Sequence, residues 1–160
     1  MKQDHTTCQL LQDVIDAYVS NIAILDENRT VLCVNRAWRQ FAIQTGSLID
    51  QVGIGRQYPE ACTGTAAAVA ADTKTIAKGI EDVIEKKESS FQMEFRCVAI
   101  PEPMWFRLHA EGFLLRDDGK SVVLVSHENI TSEKQAKESL SECLERLERL
   151  QVTTQLVIGR

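Results

Sequence analysis

The chain has 160 residues, of which 44% are hydrophobic and 26% charged, which suits one globular domain plus an appendage and excludes a disordered chain. Its net charge is -5 and its basic residues are spread along the sequence, so we expect no nucleic-acid partner. No apolar run approaches membrane-spanning length, so we predict a cytoplasmic protein with no membrane partner. The five cysteines are odd in number and widely spaced, which indicates reduced core residues and no disulfide framework or zinc site.

The first half of the chain alternates helical and extended patterns. The predicted elements are a flanking helix within 1–20, strands at 22–25 and 31–34, and helices at 36–44 and 66–87. Asn28 is expected to take the positive φ of the tight turn between the two strands. Asn35 ends the second strand and is expected to cap the helix that follows.

The last third of the chain predicts three more strands. Apolar residues alternate with polar ones from Phe91 to Cys97 and again from Phe106 to Ala110. The dipeptide Asp118-Gly119 then predicts a hairpin turn into a final strand that includes residues 122–125. Five strands with helices inserted between the second and third predict an α+β fold, in which an antiparallel sheet carries its helices on one face.

The segment from Val122 to Lys134 joins the last strand to a long helix. A β-branched run stops at a polar cluster, and a Glu/Lys/Leu-rich helix begins without a flexible linker. Thr131 or Ser132 is expected to cap this helix. A change in the sheet would therefore be transmitted mechanically to the helix. We predict a domain over residues 21–131 and a separate helix over 132–160.

The C-terminal helix carries a heptad pattern. The residues predicted to form its apolar seam are Ala136, Leu140, Cys143, Leu147 and Leu150. This pattern predicts a parallel coiled coil and hence a homodimer. The alternative is a monomeric amphipathic helix folded back onto the sheet, which Leu144 beside the seam supports.

Four short motifs occur in a specific order along the chain. They are Ala23-Ile24-Leu25-Asp26 through Val34-Asn35-Arg36-Ala37-Trp38, then Gly55, Tyr58 and Ala61-Cys62, then Trp105-Phe106, and finally Ser126-His127-Glu128-Asn129-Ile130-Thr131. Together they resemble the PAS sensory domain of bacterial signalling proteins in its S-box form. The resemblance covers roughly Asn21 to Lys134.

This resemblance implies a five-stranded antiparallel sheet half-wrapped by helices around a small pocket, with signals leaving through the helix after the last strand. The residues expected to line that pocket are Phe41, Tyr58, Cys62, Ile80, Met93, Phe106 and Leu108. The residues expected at the signal junction are Asn35, Glu128, Asn129 and Thr131. The family usually ends in Asp-Ile-Thr, and Asn129 stands in the Asp position, so the junction loses a charge that Glu128 beside it can replace.

Haem and flavin are not expected as cofactors. The segment from 36 to 87 contains no histidine that could act as an axial ligand, and His109 has the opposite strand parity from its apolar neighbours. The Asn-Cys-Arg signature of the flavin-binding subgroup is also absent. Cys62 is either a reactive or ligating thiol or a buried structural residue, and Tyr58 either bonds a ligand or packs. The identity of any ligand stays open.

Three functions are consistent with these patterns. The favoured one is a sensory module that binds a small ligand and biases a kinase, diguanylate cyclase or chemoreceptor output through a dimeric exit helix. The second is a ligand-free dimerisation module, with which the bulky residues Phe41, Phe95 and Phe106 are compatible. The third is a small enzyme, which is disfavoured because no set of nucleophile, base and orienting residue is visible, and no metal site is predicted.

Overall fold

A computed structural model describes residues 2–45, 53–58, 70–97, 102–114 and 119–159. The elements in chain order are α1 (Lys2–Asp16), β1 (Asn21–Leu25), β2 (Val31–Val34), α2 (Arg36–Gln44), α3 (Ala70–Ile84), β3 (Ser90–Cys97), β4 (Met104–Leu114), β5 (Ser121–Asn129) and α4 (Thr131–Ile158). The chain divides into two compact units, Met1–Asn129 and Ile130–Arg160. The predicted positions 66–69 and Asp118 lie outside the described residues.

The five strands form one antiparallel sheet in the order β2-β1-β5-β4-β3. The last strand therefore lies beside the first, with Ala23 opposite Val125. One buried cluster joins the sheet to α2 and α3 and contains Leu25, Trp38, Ala42, Ile76, Ile80, Val83, Leu108 and Val123 among others. This arrangement confirms the predicted α+β class with an antiparallel sheet.

Asn35 fastens three elements of the first unit to one another. Its Oδ1 accepts hydrogen bonds from the backbone N–H groups of Ile22 and Trp38, at 2.9 and 3.0 Å. Its Nδ2 donates to the carbonyl oxygens of Ile15 and Ser20, at 3.0 and 2.9 Å. The predicted cap of α2 is thus confirmed, and the same side chain also holds the end of α1 and the start of β1. Because Asn35 is fully buried, each of these bonds replaces one that water would otherwise make.

The turn between β1 and β2 differs from the prediction at one position. The positive φ of 65° occurs at Arg29, so the expectation for Asn28 was wrong. The Oδ1 of Asp26 accepts hydrogen bonds from the backbone N–H groups of Asn28 and Thr30, both at 2.8 Å. This side-chain turn shapes the loop from its first residue and moves the left-handed position one residue along the chain.

The second unit contains the 28-residue helix α4. Its N-cap position is Ile130, which makes no side-chain cap hydrogen bond. The prediction that Thr131 or Ser132 caps the helix was therefore wrong, because both residues already lie inside its first turn. No residue of α4 is buried, and Leu140, Leu147 and Leu150 are among its exposed apolar residues. None of the helices that the structure describes is long and apolar enough to cross a membrane.

Candidate functional site

An aromatic cluster surrounds His127 on the helix-facing side of the sheet. Along β5, His127 follows the buried residues Val123 and Val125 at intervals of two, so all three point to the same face. The ring centroids around His127 are those of Trp38 at 5.2 Å, Phe95 at 5.7 Å, Tyr58 at 6.0 Å and Phe106 at 6.4 Å. The imidazole therefore occupies an apolar environment built from α2, β3, β4 and the loop that carries Tyr58.

Tyr58 holds His127 through a hydrogen bond. The Tyr58 hydroxyl lies 2.8 Å from His127 Nε2. Tyr58 is almost fully buried, and its backbone N–H donates to the Arg29 carbonyl at 2.9 Å. The loop that carries Tyr58 is thus anchored on the β1–β2 hairpin, and this anchoring fixes where the hydroxyl meets the imidazole.

The surroundings of His127 determine its charge. Burial lowers the pKa of His127 from 6.5 to about 4, because the charged imidazolium would lose its hydration among the aromatic rings. At neutral pH the ring is therefore uncharged, with one nitrogen that donates and one that accepts. Tyr58 occupies Nε2 and is the hydrogen-bond partner that His127 has within the described part of the chain. Nδ1 is thus left for another group.

A cleft of about 220 Å³ lies beside this cluster. The residues that line it are Val19, Asn21, Ala37, Gln40, Phe41, Gln44, Phe106, His127 and Asn129. They come from the start of β1, one face of α2 and the ends of β4 and β5. Each of these described residues is apolar or carries an uncharged polar group, so together they offer hydrogen bonds and aromatic surface but no formal charge.

The residues predicted to line a pocket occupy three different environments. Phe41 and Phe106 line the cleft, where their rings meet edge to face at 5.5 Å. Tyr58, Ile80 and Leu108 are almost fully buried in the core, and Met93 is half-buried against it. Cys62 lies outside the described residues.

Sequence reasoning named Asn129 as a junction residue but missed the other polar residues of the cleft, which are Asn21, Gln40, Gln44 and His127. The strand parity shared by Val123, Val125 and His127 would have placed His127 on the helix-facing side. Asn21 carries no comparable signal, because it stands at the very start of β1. Its proximity to His127 depends on which strand lies next to β1, and periodicity within a strand does not specify that.

The predicted junction residues of the first unit are spread over both faces of the sheet. Glu128 points to the outer face, where Arg107 bonds both Glu128 Oε2 at 3.1 Å and Glu94 Oε1 at 3.2 Å. Asn129 lines the cleft, and its Nδ2 lies 3.6 Å from Met104 Sδ. Asn35 instead joins α1, β1 and α2. In the second unit, Thr131 is the first residue of α4.

The remaining candidates for metal or haem chemistry lie away from the cleft. His109 is directly opposite Gln92 and Ser126 on the outer face of the sheet, and its Nε2 lies 3.5 Å from Glu111 Oε2. This is the orientation that strand parity predicted. Across the residues that the structure describes, no three His, Cys, Asp or Glu side chains are grouped so that they could hold a metal ion.

Among curated proteins, the chain is 37% identical over 125 residues to an "Uncharacterized 104.1 kDa protein in hypE 3'region" of Rhodobacter capsulatus. The match covers 77% of this chain but only 13% of that protein. No protein-family model matches the sequence.

The fold also resembles those of several solved structures. The PAS domain of BvgS from Bordetella pertussis is 12% identical, with a TM-score of 0.56, over 88% of this chain and 98% of that one. The PAS domain of a protein from Colwellia psychrerythraea is 15% identical, with a TM-score of 0.54, over 79% and 98% of the two chains. The PAS domain of an HTR-like protein from Haloarcula marismortui is 17% identical, with a TM-score of 0.53, over 81% and 96%. With its strand order and flanking helices, this protein has the PAS fold.

Proposed function

We propose that the chain is a sensory module that binds a small molecule and relays the binding event, as a homodimer, through α4 to an output module outside these 160 residues. The output would be a kinase, a diguanylate cyclase or a chemoreceptor. The observation that carries the proposal is the uncharged polar cleft, which includes His127 and Asn129 at the end of β5. In chain order α4 begins only two residues after Asn129.

The cleft supports the sensory half of the proposal. Ligand sites in proteins combine apolar walls with a few polar groups that fix the orientation of the ligand. Phe41 and Phe106 supply aromatic surface, while Asn21, His127 and Gln40 supply hydrogen-bonding groups. A ligand here would contact β1, α2 and β5 at once, so its arrival would alter the end of the strand that precedes α4.

The composition of α4 supports the relay half. Leu140, Cys143, Leu147 and Leu150 are spaced as positions a and d of a heptad, and all four are exposed. A second copy of the helix would cover these side chains and remove their apolar surface from water. Arg149 and Glu145 form an ion pair of 3.7 Å on the helix surface, which adds only a few tenths of a kcal/mol.

The alternative is a ligand-free dimerisation module. The burial of Tyr58, Ile80 and Leu108 supports it, because these three residues were expected to line a pocket and are instead almost fully buried. In that case the cleft would have no occupant, and changes in it would affect only the stability of the first unit. The two functions therefore differ in whether the cleft controls output.

A fusion to a dimeric histidine-kinase core, joined after Arg160 in continuous heptad register, tests the proposal. The informative substitution is Gln40→Phe, which places a ring in the cleft, and the matched control is Gln92→Phe on the exposed outer face of β3. If the cleft controls output, Gln40→Phe changes the autophosphorylation rate and Gln92→Phe leaves it unchanged. Light scattering checks that both fusions stay dimeric. Equal rates in all three dimeric fusions would contradict the sensory proposal and favour the structural one.

A further inference from the structure

We propose that the cleft recognises an uncharged, single-ring lactam, that is, a ring that carries an amide N–H next to its carbonyl group. This inference names the ligand class of the sensory site and so rests on the proposed function. It depends on four features of the cleft: an unpaired amide, a neighbouring neutral imidazole, the lack of formal charge and the available volume.

The unpaired amide belongs to Asn21. Asn21 is only 8% exposed, and its side chain has no hydrogen-bond partner among the described residues. No fully buried side-chain nitrogen or oxygen in the described part of the chain lacks a partner, so the polar atoms of Asn21 must reach accessible space. Asn21 lines the cleft, and its carboxamide therefore faces into it. Water can make the hydrogen bonds of this accessible carboxamide, and a ligand that replaces the water must offer a donor and an acceptor in its place.

Asn21 and His127 form a direct cross-strand pair. They are opposite each other in the β1–β5 register, which places their Cβ atoms about 5 Å apart on the same face of the sheet. The Asn21 carboxamide offers an N–H donor and a carbonyl acceptor side by side, as a lactam does. The two groups can make reciprocal N–H to oxygen hydrogen bonds, and His127 Nδ1 adds a third polar contact at the same end of the cleft.

The cleft selects against charge. None of the nine lining residues in the described part of the chain is charged, and His127 is neutral at physiological pH. A carboxylate or ammonium group would lose hydration on entry without gaining an ionic partner. A neutral molecule with paired donor and acceptor meets no such penalty.

The size and walls of the cleft suit a ligand of one ring. A volume of about 220 Å³ equals the liquid volume of roughly seven water molecules. The edge-to-face pair of Phe41 and Phe106 supplies an aromatic wall against which a planar ring packs. A lactam ring fits both features, because its faces are weakly polar and its hydrogen-bonding groups lie on one edge.

The test is an NMR titration of the 15N-labelled 160-residue chain with 2-pyridone as the probe. We expect saturable shifts of the Asn21 side-chain amide and of the His127 backbone amide, with a Kd on the order of 1 mM for so small a fragment. N-methyl-2-pyridone, which lacks the N–H, and 2-pyridone-5-carboxylate, which is charged, should each bind at least about tenfold more weakly. Equal binding of the three compounds, or shifts that avoid the cleft, would overturn the assignment.

Substitution of Asn21 tests whether this residue makes the hydrogen bonds that bind the lactam. Asn21→Leu should weaken 2-pyridone binding about tenfold, whereas Asn28→Leu in the exposed turn should not change it. Asn21→Asp is a second variant in case the leucine disturbs folding; it keeps the shape, loses the donor and should also weaken binding. Well-dispersed spectra confirm that each variant is folded. Unchanged affinity in a folded Asn21 variant would refute the proposal.

The binding test and the kinase fusion fail independently. If 2-pyridone binds at Asn21 but the Gln40→Phe fusion keeps its activity, the lactam site stands and the sensory function fails. If Gln40→Phe alters the fusion while 2-pyridone does not bind, the sensory function stands and the lactam assignment fails.

Discussion

The Tyr58 hydroxyl lies 2.8 Å from His127 Nε2 and so links the loop that carries Tyr58 to the last strand of the sheet. Tyr58→Phe removes this hydroxyl and leaves the imidazole nitrogen without its partner. We expect a loss of about 1 kcal/mol in the free energy of unfolding, measured by urea denaturation. Tyr18→Phe is the matched control because Tyr18 is exposed, and equal losses in the two variants would contradict a specific role for the Tyr58 bond.

Stability should depend on pH through His127. The pKa of His127 is about 4 in the folded chain and 6.5 when the residue is unperturbed. Between these values the unfolded chain binds a proton that the folded chain does not, so the free energy of unfolding falls as the pH falls from 6.5 towards 4. Above pH 6.5 this residue contributes no further change. The loss amounts to about 3 kcal/mol at most.

Urea titrations at a series of pH values measure this dependence. His127→Gln should flatten the profile between pH 4 and 6.5, the window set by the pKa of His127. His109→Gln is the comparison variant, because His109 lies on the outer face of the sheet and outside the aromatic cluster around His127. A wild-type slope that persists in His127→Gln would show that other groups cause it.

The contact between Gly79 and Phe91 limits the size of the side chain that position 79 of α3 can accept. A Cβ atom at Gly79 would overlap the Phe91 ring. Alanine normally stabilises a helix interior relative to glycine by about 1 kcal/mol, but overpacking costs about 1 to 3 kcal/mol. We therefore expect Gly79→Ala to lower the free energy of unfolding by about 1 kcal/mol. The Phe91→Leu background should reverse the sign, and a stabilising Gly79→Ala in the wild-type background would contradict the overlap.

The proposed dimer should depend on the seam of α4. Leu147→Asp would place two carboxylates where two apolar side chains meet, at a cost of several kcal/mol. We expect light scattering to report the mass of a monomer. Leu156→Asp is the matched control, since Leu156 is exposed on α4 but lies off the seam. A dimer that survives Leu147→Asp would place the interface elsewhere.

Oxidative cross-linking of Cys143 should report whether the two helices are parallel. This exposed thiol lies at a d position of the proposed seam. In a parallel pair the two Cys143 thiols approach each other, so mild oxidation should give a covalent dimer on a non-reducing gel. Cys143→Ser should abolish that band. Cross-linking that persists in Cys143→Ser, or none in the wild-type dimer, would count against the parallel arrangement.

Local patterns in the sequence were sufficient for the fold class. Alternation of apolar residues predicted β3 and β4, and the resemblance carried by four short motifs in order predicted the PAS fold that the structure has. Asn35 was correctly expected to cap α2, because a cap depends on the residue and its immediate neighbours. Positions that depend on the details of a turn were less predictable, as Arg29 and Thr131 show.

The sequence by itself therefore determined which segments form strands and helices and which side of each strand is apolar, since both follow from short-range sterics and from the spacing of apolar residues. Only the tertiary structure decided that β5 lies between β1 and β4 and hence that Asn21 meets His127. Periodicity is a property of one strand and does not specify which other strand pairs with it. The pairing of strands from opposite ends of the domain is set by how all the elements bury their apolar faces together.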